Sequence, residues 1–196
     1  MASKRESNFF NMVSTLFLVT AVAAVSLGGI YNVTKGPIEL AKQKKQEEAI
    51  RMVLPEFDRI EPKKFKAPDM ADSLLFNMAY KGDNLVGMAV NTFTNKGFSG
   101  QIKLMVGLLP DGTINNTSVL EHKETPGLGD KMQQNKADWS LQYNGKHPAD
   151  FNLKMKKDGG MVDAITAATI SSRAFSDAVE RAYKTYETNL GGNRNE

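Results

Sequence analysis

Leu74-Leu-Phe-Asn-Met-Ala-Tyr80, Lys81-Gly-Asp-Asn84 and Leu85-Val-Gly-Met-Ala-Val-Asn-Thr-Phe93 follow one another without interruption. Two strand-like apolar runs flanking a glycine-containing polar turn read as a β-hairpin. After the glycine-punctuated loop Asn95-Lys-Gly-Phe-Ser-Gly100 the pattern repeats, with Gln101–Leu109 and Thr113–His122 about Pro110-Asp-Gly112. Four consecutive strands joined by short turns predict an antiparallel sheet, and the helices around it make the class α+β, with helices packed on one face.

Towards the N-terminus the period changes. Residues 58–72 contain Pro62, Pro68 and three lysines and read as a linker. Ile38–Leu54 reads as an amphipathic helix with Pro37 at its first position, Pro55 at its end and Lys42-Gln-Lys-Lys-Gln-Glu-Glu48 as a solvated face. From Ser7 to Thr34 there is no charged residue, and Phe9–Tyr31 is mostly apolar. As a helix that stretch would reach about 34 Å, enough for a hydrocarbon layer of ~30 Å. Ala21-Val-Ala23 resembles a signal-peptide cleavage site, but the apolar run continues past it, which favours a retained single-span anchor. Lys4 and Arg5 precede the span, and Lys35, Lys42, Lys44 and Lys45 follow it, so charge alone leaves its orientation open. The expected organisation is a polar tail (1–8), a transmembrane helix (9–31), an amphipathic helix and linker (32–72), a folded domain (73–190) and a C-terminal tail (191–196).

Towards the C-terminus, Glu124-Thr-Pro-Gly-Leu-Gly129 combines a rigid proline with two glycines in a loop. Asp130–Leu141 is expected to be a short helix near Trp139, and Phe151–Lys156 a strand ended by Asp158-Gly-Gly160. Ser172–Leu190 carries Ala174, Phe175, Ala178, Val179, Ala182, Tyr183 and Tyr186 at helical spacing. Before it stands Asp163-Ala-Ile-Thr-Ala-Ala-Thr169-Ile-Ser-Ser172. Two readings fit this stretch: a hydroxyl N-cap, or a backbone pocket for a phosphate with one hydroxyl poised for esterification.

Composition narrows the chemistry. Lys+Arg (25) nearly balances Asp+Glu (22), for a net charge of +3, which argues against a nucleic-acid partner. The chain has no cysteine and only His122 and His147, so thiolate zinc, Fe–S and c-type haem sites are excluded and a histidine metal centre is disfavoured. Electron transfer in this chain would need an organic cofactor. No nucleophile elbow and no G-x-G-x-x-G fingerprint is present.

The order of motifs resembles the FMN-binding family that contains the G subunit of Rnf-type electron-transport complexes. It is also similar to the C subunit of the sodium-pumping NADH:quinone oxidoreductase, whose greater length fits less well. The resemblance rests on the N-terminal span, Gly97-Phe-Ser-Gly-Gln-Ile102, Glu124–Gly129, Gly159-Gly160, Asp163 and Thr166-Ala-Ala-Thr-Ile-Ser171. It implies an FMN-binding domain outside the cytoplasm, on the periplasmic side of the bacterial inner membrane. It further implies that a flavin transferase uses FAD to attach FMN to Thr169 through a phosphodiester. Thr169 would be an attachment point, not a catalyst.

Asp163 matches the acid leading into the motif, Thr166, Ala167, Ala168 and Ile170 its body, and Ser171 its trailing hydroxyl; Ala167 stands where the family often has glycine. Glu124, Thr125, Pro126, Gly127, Leu128 and Gly129 would form the loop beside the flavin. The implied role is a membrane oxidoreductase subunit without substrate turnover of its own. Its partners would be neighbouring membrane subunits, the transferase and lipid, in a complex coupling ferredoxin/NAD-linked electron flow to ion movement. The rival is a membrane-tethered binding or assembly module with no flavin.

Overall fold

A computed structural model describes residues 8–68 and 72–191. Most of the expected terminal tails, with Lys4 and Arg5, lies outside the described residues. Two compact units divide the chain between Lys44 and Lys45. The first consists of the greater part of helix α1 (Phe9–Val53, 45 residues). Helix α1 is the one helix among the described residues long and apolar enough to cross a membrane. The expected break before Pro37 is absent, because α1 runs through it. A proline removes one backbone bond and crowds the preceding turn, and here the helical bonds on both sides carry the helix across that defect.

The second unit is built on a five-stranded antiparallel meander in the order β1 (Arg59–Lys66), β2 (Ser73–Lys81), β3 (Asn84–Gly97), β4 (Gly100–Leu108), β5 (Ile114–Glu121). Strand β1 corrects the linker reading of residues 58–72. It pairs along its whole length with β2, from Arg59 opposite Tyr80 to Lys66 opposite Ser73. Pro62 and the exposed Lys63, Lys64 and Lys66 resemble linker composition because the same residues keep an edge strand from pairing with another chain. Phe65 anchors it edge-on to Phe76, with ring centroids 5.0 Å apart.

Helix α2 (Thr169–Asn189) covers one face of the sheet, burying Ala174, Phe175, Ala178, Val179 and Ala182 against Met78, Met88, Val90, Leu104 and Val106. It begins three residues before the expected Ser172. The other face is covered too, contrary to the one-face expectation. Ala49, Ile50, Val53 and Leu54, at and just beyond the end of α1, pack on Ala79, Ala89 and Met105, the alternate residues of the same strands. The fit is close because Ala79 and Ala89 are small and Gly107 has no side chain. A Cβ on Gly107 would collide with the Val53 carbonyl oxygen. Asn115 and Asn116 Nδ2 donate to the Val53 and Met52 carbonyls (2.8 and 3.1 Å), satisfying acceptors that a helix C-terminus leaves open.

Two further expectations change. Asp130–Leu141 is not one helix but two short 3₁₀ turns, Gly129–Met132 and Asp138–Tyr143. Extended backbone at Gln133 (φ −81°, ψ 133°) and Ala137 (φ −165°, ψ 159°) separates the two turns. Phe151–Lys156 is not a strand. Its backbone bonds are made locally, Met161 N–H to Asn152 O (3.0 Å) and Lys156 N–H to Val162 O (2.8 Å). Several carbonyls on the free edge of β5 are also taken: Lys45 Nζ bonds Leu120 O, Gln134 Nε2 bonds Thr117 O, and Gly145 N–H bonds Ile114 O.

The close approach at Gly107 gives a test. Gly107→Ala forces the end of α1 off the sheet and should destabilise the second unit by about 1–3 kcal/mol, the range for overpacking a tight core. Urea unfolding followed by the fluorescence of Trp139 measures it.

Candidate functional site

The β3–β4 turn, the 124–129 loop and the first turn of α2 meet around a cavity of about 340 Å³. Phe98 comes from the hairpin tip; Glu124, Thr125, Leu128 and Gly129 from the loop; and Ala167 to Ser171 from the helix start. Two motifs some forty residues apart in sequence are thus joined in one wall.

The helix start is unusual. Its N-cap is Ala168, and no side chain caps it, so the hydroxyl N-cap reading of this stretch does not hold. Ser172 instead closes the preceding turn: its Oγ accepts from Ile165 N–H (2.9 Å) and donates to Ala168 O (3.0 Å). The first backbone bond into the helix is Ser172 N–H to Ala168 O (3.0 Å). Among the described residues, the N–H groups of Thr169, Ile170 and Ser171 have no acceptor, as the opening turn of an uncapped helix requires. The first turn also carries no acid. Unused donors at the positive end of a helix dipole form an anion-receptive arrangement.

Ala167 has φ = 61°, the one non-glycine residue with positive φ among the described residues. A side chain there is strained, and the alanine methyl is the smallest that an L residue can place in it. Thr169 is partly exposed and Ile170 is exposed (47 %), so the threonine hydroxyl lies at the cavity rim rather than inside the core.

Glu124 is buried (4 % exposed). Its Oε1 accepts from Ser99 N–H (3.0 Å) and its Oε2 from Ser171 Oγ (2.5 Å). Its own N–H donates to His122 Nδ1 (3.1 Å), and His122 Nε2 lies 2.6 Å from Gln133 Nε2. Gly127 turns the loop with φ = 77°, and Leu128 N–H bonds Thr125 O (3.2 Å).

Asp163, Thr166, Pro126 and Gly127 do not line the cavity. Asp163 pairs with Lys156 (2.8 Å), its carbonyl accepts from Trp139 Nε1 (2.6 Å), and its N–H donates to Gln142 Oε1 (2.8 Å). Those contacts steer the chain into the motif. Beside them, Arg173 grips Asp158 with two bonds of 2.7 Å, and this guanidinium holds the Asp158 carboxyl below the usual carboxylate range. Phe98 lies in the Gly97–Ile102 motif but is not among the expected site residues. An aromatic between two glycines at a hairpin tip cannot reach a core, and its 68 % exposure is the result.

The residues present fit a phosphate-tethered aromatic ring. Free N–H donors and a hydroxyl occupy the rim, while Phe98, Leu128 and Ile170 offer apolar surface around it. The volume lies at the small end of the about 300–1,000 Å³ usual for ligand pockets.

Residues 97–184 match the family model described as the FMN-binding domain. The chain is 36 % identical over 184 residues to the G subunit of the ion-translocating oxidoreductase complex of Erwinia tasmaniensis, covering 89 % of this chain and 88 % of that protein. It is 34 % identical over 180 residues to the corresponding G subunit of Pasteurella multocida, covering 85 % and 88 %. Against the G subunit of Vibrio atlanticus the identity is 44 % over 105 residues, covering 52 % of this chain and 50 % of that one.

The strain at Ala167 predicts that Ala167→Gly stabilises the domain. It relieves the roughly 1–2 kcal/mol of a left-handed alanine and gives back about 0.4–1 kcal/mol through a freer unfolded chain. A net gain of about 0.5–1 kcal/mol should appear as a higher urea midpoint.

Proposed function

Because the chain belongs to the family of ion-translocating oxidoreductase complex G subunits, we propose that it is the electron-relaying G subunit of an Rnf-type complex, carrying FMN bound covalently through Thr169. The observation that carries this reading is the junction of an uncapped helix start, a rim hydroxyl and an apolar-walled cavity within the span that matches the FMN-binding domain.

Each residue has a defined task. Thr169 Oγ1 is the acceptor: it forms a bond to the FMN phosphorus of FAD, the P–O bond to the AMP phosphate breaks, AMP departs with that electron pair, and the hydroxyl proton is released. No electrons change hands in that step. The N–H groups of Thr169, Ile170 and Ser171 then face the negative charge that a phosphodiester keeps. Phe98, Leu128 and Ile170 exclude water from the ring, and Ala167 and Ala168 leave the hydroxyl open to a flavin transferase. Bound FMN supplies one- and two-electron exchange. Asp163 and Thr166, outside the cavity, belong to the segment that the transferase meets. The 124–129 loop forms the facing wall.

The Phe9–Tyr31 stretch of α1 anchors the subunit in lipid, and the domain lies on the extracytoplasmic side of the inner membrane. There a tethered flavin cannot diffuse away, and it passes electrons between neighbouring membrane subunits during ferredoxin/NAD-linked chemistry. The subunit turns over no substrate by itself.

Co-expression with a flavin transferase should give a chain whose intact mass carries one FMN and which fluoresces in a denaturing gel. Thr169→Ala should carry none; equal labelling of that variant, or an unlabelled wild type, removes the assignment. A reporter fused after Glu196 should signal from the extracytoplasmic side, and cytoplasmic activity there refutes the orientation.

A further inference from the structure

A buried carboxylate ordinarily keeps a cation or several N–H donors. Glu124 has one backbone N–H, from Ser99, and one hydroxyl, from Ser171. It sits in a slot shaped for it. A Cβ on Gly97 would stand 2.7 Å from Oε1, and a Cβ on Gly129 would stand 2.7 Å from both Glu124 Cβ and Ser171 Oγ. Its two bonds tie three segments together: the hairpin turn, the 124–129 loop and the first turn of α2.

Ser171 is the third residue of that helix, and Ala168 in front of it has no side-chain oxygen with which to cap. Glu124 therefore brings a carboxylate to the helix start from 47 positions upstream. Both of its oxygens are engaged by Ser99 and Ser171, so it fixes the first turn without consuming the N–H groups of Thr169, Ile170 and Ser171. An ordinary Ser, Thr or Asp cap would occupy one of those donors.

We propose that Glu124 is a positioning residue for flavin attachment, holding the first turn of α2 through Ser171 so that the Thr169 hydroxyl and the free N–H groups are presented together to the incoming phosphate. The inference rests on Thr169 as the acceptor. Glu124 neither gives nor takes a proton in the transfer; its reach, not its charge, is what matters.

Two conservative variants separate reach from charge. In Glu124→Gln the amide oxygen still accepts from Ser99 N–H, and the amide nitrogen donates to Ser171 Oγ, which reverses its role. Glu124→Asp keeps the charge but is one methylene too short to span both partners. Full-length chain in detergent is incubated with flavin transferase and FAD, and labelling is followed by in-gel fluorescence and intact mass. Melting followed by Trp139 emission checks the fold. The expected result is labelling of Glu124→Gln within threefold of wild type, with Glu124→Asp and Glu124→Ala at least tenfold slower in kcat and KM for FAD unchanged.

Ser171→Ala should be slowed similarly, and the Glu124→Ala/Ser171→Ala double variant no further, because the two residues act through one bond. If the alanine variants fail to fold, the Gln and Asp pair still decides. Faster labelling of Asp than of Gln would show that charge matters and overturn the proposal. So would wild-type labelling of Glu124→Ala, or slow labelling confined to Ser171→Ala. An unlabelled wild type would instead overturn Thr169 as the acceptor.

Discussion

The sheet must be covered on both faces, and the rest of the second unit depends on that constraint. Along β2, β3 and β4 the side chains alternate between two apolar clusters, Met78, Met88, Val90, Leu104 and Val106 on one side and Ala79, Ala89 and Met105 on the other. The residues facing α2 are all larger than alanine, whereas Ala79, Ala89 and the bare backbone at Gly107 let the end of α1 sit almost on the sheet, with Met105 beside it. Covering the first face sets α2 in place, and with it the cavity at its N-terminal turn. Covering the second makes the last turns of α1 part of the folded unit rather than a loose stalk.

Much of this was legible in the sequence, and the failures share a cause. The hairpins about Gly82 and Gly112 showed themselves because turn residues interrupt apolar runs there. Strand β1 did not, since Pro62 and the lysines that guard a sheet edge are also the residues of a linker. Residues 151–156 failed in the opposite direction: their alternation is strand-like, but β5 carbonyls at residues 114, 117 and 120 are taken by side-chain or loop donors, and the segment bonds to 161–162 instead. Local pattern reports what a backbone prefers; pairing depends on which edges are open.

The candidate site was legible only as pieces. Motif order could suggest that Glu124–Gly129 and Thr166–Ser171 belong together, but their meeting around one cavity follows from the sheet order and from α2 crossing it. Phe98 stood within the Gly97–Ile102 motif, but nothing in that motif said that its ring would line the site. The N-cap reading failed for a definite reason: hydroxyls are dense in the stretch, yet the residue that falls at the N-cap is Ala168. A one-position shift of the helix start would have placed Thr169 there instead. It would then cap its own helix, and its hydroxyl would be engaged rather than free.

That placement explains why the helix tolerates two local defects at once, an uncapped first turn and a left-handed alanine at 167. Each costs of the order of 1 kcal/mol in other proteins. Neither is confined to its own turn, because the surrounding bonds hold it: Ser172 closes the 165–168 turn, Arg173 ties the helix to Asp158, and Glu124 reaches in from another loop. A local cap would stabilise the helix start but occupy its donors, whereas remote partners stabilise it and leave them free. The fold thus keeps a hydroxyl and three N–H groups available at one rigid point of its surface, which is the condition for receiving a phosphate there.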